Sequence, residues 1–188
     1  LSDEPVLRAD AQKNRERILA AAEALFLEKG ANVPLEEVAR RAGVGIGTLY
    51  RRFPTREALL AATSNERFLS LAEASRAREP NLAPGDAVRA YLEELATDTG
   101  IYQSLAASIG TVMQCGTAGC NAVTAEGHRL LRRAQEAGAI RRDVTFEDVI
   151  HVVTAISLAI ENGRSPTSRV GHLVDLFLNG ISLKGASQ

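Results

Sequence analysis

The sequence predicts an all-α protein of about nine helices, a small N-terminal helix-turn-helix unit followed by a larger helical bundle. Composition is the first sign: Trp is absent and aromatic residues make up 4% of 188 residues, while the helix formers Ala, Leu, Glu and Arg are abundant. The second is spacing, because apolar residues recur at three- and four-residue steps between Gly and Pro stops. The third is the run from Val33 to Phe53, which reads as two short helices around a tight glycine-containing turn.

Residues 1–11 read as a flexible arm. Helix 1 is expected from about Gln12 to Lys29, with Ile18, Ala22, Leu25 and Phe26 on one face and Gly30 as its stop. Helix 2 opens at Pro34, places Glu36 and Glu37 at its positive end and Arg40 and Arg41 at its negative end, and closes at Gly43. Leu35, Val38, Ala39 and Ala42 form its apolar stripe. Helix 3 covers Ile46 to Phe53 and is too short to survive without packing. Pro54 and Thr55 start helix 4, expected to run through Leu59, Leu60 and Phe68 to about Ala77.

The break Glu79-Pro-Asn-Leu-Ala-Pro-Gly85 precedes five further helical stretches near 84–98, 100–113, 119–137, 146–161 and 166–183. Thr145 and Asp148 form a variant capping box, and Ser165-Pro166 opens the last helix. The division expected is 12–55 for the helix-turn-helix domain and 56–188 for the remainder.

The net charge is −1, so no global basic signature marks a nucleic-acid partner. The signature is local: Arg40, Arg41, Arg51, Arg52 and Arg56 fall in a stretch without Asp or Glu. On a helical wheel Leu49 and Phe53 face inward, Gly47, Thr48, Arg51 and Arg52 point outward, and Tyr50 lies on the rim. Small outward residues allow the close backbone approach that docking in a major groove requires. Thr48 suits phosphate or base, Tyr50 a phosphate, Arg51 or Arg52 phosphate or guanine, and Arg56 a flanking phosphate. A regular helix buries Ile46, whereas a helix starting one residue later turns it towards a thymine methyl. The competing reading is a helix-turn-helix of ordinary structural kind whose arginines are simply solvated.

Arg17-Ile-Leu-Ala-Ala-Ala-Glu-Ala-Leu-Phe26, Gly30, Val38-Ala-Arg-Arg-Ala-Gly-Val44, Gly47-Thr-Leu-Tyr50, Phe53 and Arg56-Glu57 together resemble the signature of the tetracycline-repressor (TetR) family over residues 15–60. The resemblance implies a one-component transcriptional repressor whose N-terminal three helices bind double-stranded operator DNA. By motif position the DNA-facing residues are Gly45, Ile46, Gly47, Thr48, Tyr50, Arg52 and Arg56. It also implies a C-terminal domain that dimerises and binds a small-molecule effector of unknown identity, which releases the homodimer from a palindromic operator. The sequence departs from the pattern at Val33-Pro34, where members often carry a capping Thr or Ser, and at Arg52 and Arg56, where His and Lys are common.

In the second domain, residues 149–160 are apolar nearly all round, and the last helix carries a stripe through Val170, Leu173, Leu176, Phe177, Gly180 and Ile181. Two such helices fit a four-helix seam with a second copy, with Val152, Ile156, Leu173, Leu176, Phe177 and Gly180 as candidate interface residues. The bland alternative places both helices in one monomer's core. Tyr91, Tyr102, Met113 and Cys115 are the candidate lining of the effector pocket that the resemblance implies.

Cys115 and Cys120 make no disulfide framework, and their C-x₄-C spacing is not a common metal pattern, so no metal or cofactor is expected. A cysteine-nucleophile enzyme finds no supporting neighbourhood, and the chain is read as a non-enzyme. The other alternative is a helical ligand- or partner-binding protein without specific DNA binding. No apolar run reaches the ~20 residues of a membrane span, and Asp3, Glu4, Arg8 and Asp10 leave no signal-peptide core, so a cytoplasmic location is expected.

Overall fold

The computed structural model describes residues 3–102, 104–161 and 168–181. Among them are ten α-helices and no strand. They are α1 Asp3–Lys29, α2 Leu35–Ala42, α3 Ile46–Arg52, α4 Arg56–Thr63, α5 Asn65–Arg78, α6 Pro84–Thr99, α7 Ile109–Met113, α8 Ala118–Glu136, α9 Phe146–Glu161 and α10 Ser168–Ile181.

Ile18, Ala22, Leu25 and Phe26 of α1, Val38 and Ala39 of α2, and Leu49 of α3 share one buried core with Leu59 and Leu60 of α4. Helix α4 therefore packs on α1, and it also meets α7. Behind it, α5 lies along α8 and α6, and α9 and α10 pack against α6. Arg89 of α6 fastens α10 by a two-pronged bond to Asp175 at 2.6 and 2.9 Å.

Three expectations are corrected. Residues 3–11, read as an arm, continue α1, because Pro5 falls in the first turn, where its missing N–H breaks no helical bond. The single helix expected from Thr55 to Ala77 is divided at Ser64, a buried residue whose Oγ accepts from Arg67 Nη2 at 3.2 Å. The helix expected over 100–113 is reduced to Ile109–Met113 preceded by a 3-10 turn, since Ser104 takes a left-handed φ of 69°. That turn sends Tyr102 inward against Phe26 of α1, with ring centroids 5.6 Å apart.

At the start of α8 a glycine is required by contact. A Cβ on Gly119 would collide with the Asn65 carbonyl, while Asn65 Oδ1 accepts from the Gly119 N–H at 2.8 Å.

Candidate nucleic-acid interface

The turn between α2 and α3 is closed by its own backbone. Gly43 adopts φ +65°, and the N–H groups of Gly43 and Val44 return to the carbonyls of Arg40 and Ala39 at 3.1 and 3.0 Å. Arg17 of α1 adds a bond from Nη2 to the Gly43 carbonyl at 3.3 Å. Gly45 is extended and caps α3, its carbonyl accepting from the N–H groups of Thr48 and Leu49.

Helix α3 is held by two residues, Leu49 at 0% and Phe53 at 5% exposure. That fixes its outer face as the sequence predicts: Gly47, Arg51 and Arg52 are exposed, and Tyr50 is 44% exposed. Thr48 is half-buried, and its Oγ1 accepts from Arg51 Nη2 at 2.9 Å. Ile46 is 38% exposed although α3 starts there, so a regular helix does not bury it. Val44, two residues earlier, packs on the core instead. A Cβ placed on Gly45 or Gly47 would meet nothing within 4 Å.

The five arginines of this stretch divide by partner. Arg41 forks onto Glu28 at 2.8 Å through both nitrogens, which holds the Glu28 carboxyl below its usual range. Arg40 lies 3.7 Å from Glu37, which also pairs with Lys29 at 2.5 Å. Arg56, expected as a phosphate ligand, donates from Nη1 to the carbonyls of Ala31 and Val33 at 2.7 and 2.5 Å. This guanidinium ties the start of α4 to the α1–α2 loop. Arg51 and Arg52 are thus the cations displayed by α3 itself. Two residues that sequence reasoning did not single out join them: exposed Arg15 stands 5.9 Å from the Phe53 ring centre, and Arg17 braces the turn. Their signal was position, Arg15 one turn ahead of the buried Ile18 and Arg17 directly before it.

The expected pocket residues separate. Tyr91 is buried and donates its hydroxyl to the Val123 carbonyl at 2.9 Å, with burial pushing its phenol pKa far up. Tyr102 is buried at the α1 joint. Neither lines the two cavities described next, because each is consumed by core packing. Met113 lines a cavity of about 600 Å³ between α7, α8 and α9, together with His128, Phe146 and His151. Cys115, half-buried, does not line it, and Cys120 is buried; burial pushes both thiols up. A second cavity, a groove of about 700 Å³, runs between α5 and α6. Among the described residues no group of three or more His, Cys, Asp or Glu is placed to hold a metal ion. Nor is any described helix long and apolar enough to cross a membrane.

Of the expected seam residues, Leu176 is 58% exposed, Gly180 is exposed, and Val152, Leu173 and Phe177 are half-buried. Ile156 is the exception, since it is 6% exposed and belongs to the monomer's core.

Residues 83–183, more than half of the chain, match the family model described as the C-terminal domain of SbtR-like transcriptional regulators, a TetR C-terminal domain. The chain belongs to the TetR family. Residues 18–63 match the model of the bacterial regulatory proteins of the same family, and they contain the turn and α3 described above. A TetR transcriptional regulator of known structure from Streptomyces coelicolor is 31% identical, over 91% of this chain and 99% of that one, with a TM-score of 0.56. RolR, solved with its ligand resorcinol, shares the fold at 20% identity and a TM-score of 0.68, over 95% of this chain and 92% of that one. An HTH-type transcriptional regulator of Staphylococcus aureus strain USA300 is 46% identical over 48 residues, 25% of this chain. That match spans 26% of the curated relative's length. As a TetR-family protein the chain is a DNA-binding transcriptional regulator and not an enzyme.

Proposed function

We propose that this TetR-family regulator is a ligand-responsive repressor that binds a palindromic operator as a homodimer. Residues 12–55 form its reading head and 56–188 its effector-binding and dimerising part. The observation that carries the reading is the outer face of α3, where exposed Gly47, Tyr50, Arg51 and Arg52 stand together on a helix anchored by Leu49 and Phe53. Gly45 and Gly47 support it further, because the fold leaves room for a side chain at both positions. Their lack of one serves an approach from outside the monomer.

Within this reading Thr48 and Arg52 contact bases, Tyr50, Arg51 and Arg15 contact phosphates, and Ile46 meets a thymine methyl. Arg56 is a positioning residue that sets α4 against the loop leading into α2. The seam is formed by the outer faces of α9 and α10, with Val152, Leu173, Leu176, Phe177 and Gly180 meeting their equivalents across a two-fold axis. Two copies of α3 then enter successive major grooves about 34 Å apart. An effector that prefers another spacing lowers operator affinity by its differential affinity for the two states.

The test is retention of duplex DNA by the wild type and by a protein carrying R51A and R52A, at equal salt. Loss of retention with unchanged helical circular dichroism is expected. Equal retention by both proteins overturns the assignment of α3, and no retention by the wild type favours instead a helical ligand- or partner-binding protein without specific DNA binding.

A further inference from the structure

The groove between α5 and α6 is unusual in its charge. Its apolar floor, with Leu71, Ala90 and Ile101, is bordered by four carboxylates, Glu66, Glu93, Glu94 and Asp98, against two guanidiniums, Arg67 and Arg78. Both guanidiniums are engaged, Arg78 through two 2.5 Å bonds to Glu94 and Arg67 through Nε to Asp98 Oδ1 at 3.1 Å. Glu93 has a 3.4 Å contact to Arg89, whose guanidinium is held by Asp175. The groove therefore carries surplus negative charge over an apolar surface. Among the described residues two buried side-chain polar atoms have no hydrogen-bond partner, Asp98 Oδ2 and Arg78 Nε, and both belong to residues lining this groove. The cavity between α7, α8 and α9 has no such atom among its lining residues.

The same carboxylate is wired to the reading head. Arg67, which holds Asp98, also donates from Nη1 to the Tyr102 hydroxyl at 2.8 Å and lies 4.5 Å over the Tyr102 ring. Tyr102 in turn packs on Phe26 of α1. One arginine thus links the groove to the helix that braces the α2–α3 turn.

We propose that the α5–α6 groove is the regulatory effector site and that it takes an organic cation with an apolar body. The cationic head competes with Arg67 for the Asp98 carboxylate, and its apolar body lies on Leu71, Ala90 and Ile101. Released from Asp98, Arg67 no longer fixes Tyr102 against Phe26, and α1 shifts relative to α5 and α6. The regulatory half of this proposal rests on the repressor reading above; the binding half does not.

Isothermal titration calorimetry with decylammonium, decanol and decanoate, below their aggregation concentrations, separates charge from apolar surface on one ten-carbon body. The wild type is expected to bind decylammonium at least tenfold more tightly than decanol, with decanoate weakest. Asp98→Asn is expected to weaken decylammonium binding at least tenfold with unchanged helical circular dichroism. Equal binding of the three head groups by the wild type, or equal decylammonium binding by Asp98→Asn, overturns the site. The head-group comparison needs no variant, so it decides even if Asp98→Asn misfolds. Calorimetry also needs no DNA, so failure of the repressor reading leaves its result intact. On a bound duplex, decylammonium is expected to lower affinity at least tenfold, and Tyr102→Phe to diminish that release. Cation-selective binding with no effect on a demonstrated duplex affinity overturns the coupling.

Discussion

Arg56 and Val33 are joined by a 2.5 Å hydrogen bond from the guanidinium Nη1 to the carbonyl oxygen, and the same nitrogen reaches Ala31 at 2.7 Å. The bond fixes where α4 begins relative to the loop that launches α2. Hydrogen bonds to a charged group contribute about 1.5–3 kcal/mol, so Arg56→Ala is expected to lower thermal stability by several degrees. DNA affinity should fall on all sequences while the slope of affinity against salt stays unchanged. A slope reduced by about one would instead make Arg56 a phosphate ligand.

Gly47→Ala separates stability from binding. A Cβ there meets nothing in the monomer, and Ala is favoured over Gly in a helix by about 1 kcal/mol. The variant should melt at the wild-type temperature or above it, yet bind duplex at least ~10-fold more weakly, a loss of about 1.4 kcal/mol. Unchanged binding would show that the Gly47 surface does not face DNA.

Much of this reading head is legible in sequence because its determinants are local. Pro34, the acid and base placement along α2, and Gly43 specify that helix within ten residues, and Leu49 with Phe53 orients α3 by spacing alone. The bonds that Arg56 makes inside the monomer were not legible because their carbonyls lie 23 and 25 residues away. The wheel left Ile46 open between a buried and a DNA-facing position because it stands at the helix end, where the wheel loses its meaning. Tyr91 and Tyr102 look like pocket residues in sequence, but whether a tyrosine faces a cavity or a core depends on which helices cross it. The kink at Ser64 and the turn at Ser104 carry no Pro or Gly of their own. Each stands beside a long-range contact that local sequence does not reveal, Asn65 with Gly119 next to Ser64 and Tyr102 with Phe26 next to Ser104.

Glu126 gives stability a pH dependence. It is fully buried and accepts from Arg129, Ser75 and Arg76. Burial alone would push its carboxyl up, but those donors outweigh burial and hold it below the usual glutamate range. Its contribution is therefore complete above the unfolded value of about 4.3 and is lost as pH falls through the lower folded value. Glu126→Gln should cost ~3 kcal/mol at neutral pH, and the difference should shrink below about pH 4. Urea midpoints for both proteins across this range provide the check; a constant difference would show that Glu126 does not titrate below the unfolded range.

Leu176→Glu tests the seam. With Leu176 58% exposed, the charge enters no monomer core. Helical circular dichroism should persist, while light scattering at one concentration is expected to show a dimeric wild type and a monomeric variant. A variant that stays dimeric would move the seam away from α10.

The measurement that bears most directly on the whole reading is selection from a random duplex pool by the purified protein at near-physiological salt, followed by sequencing. The expected result is a palindrome whose half-sites are separated by about one helical turn, 10 base pairs, or a multiple of it. Recovery of no common sequence, with only weak salt-sensitive retention, would contradict a sequence-specific dimeric repressor.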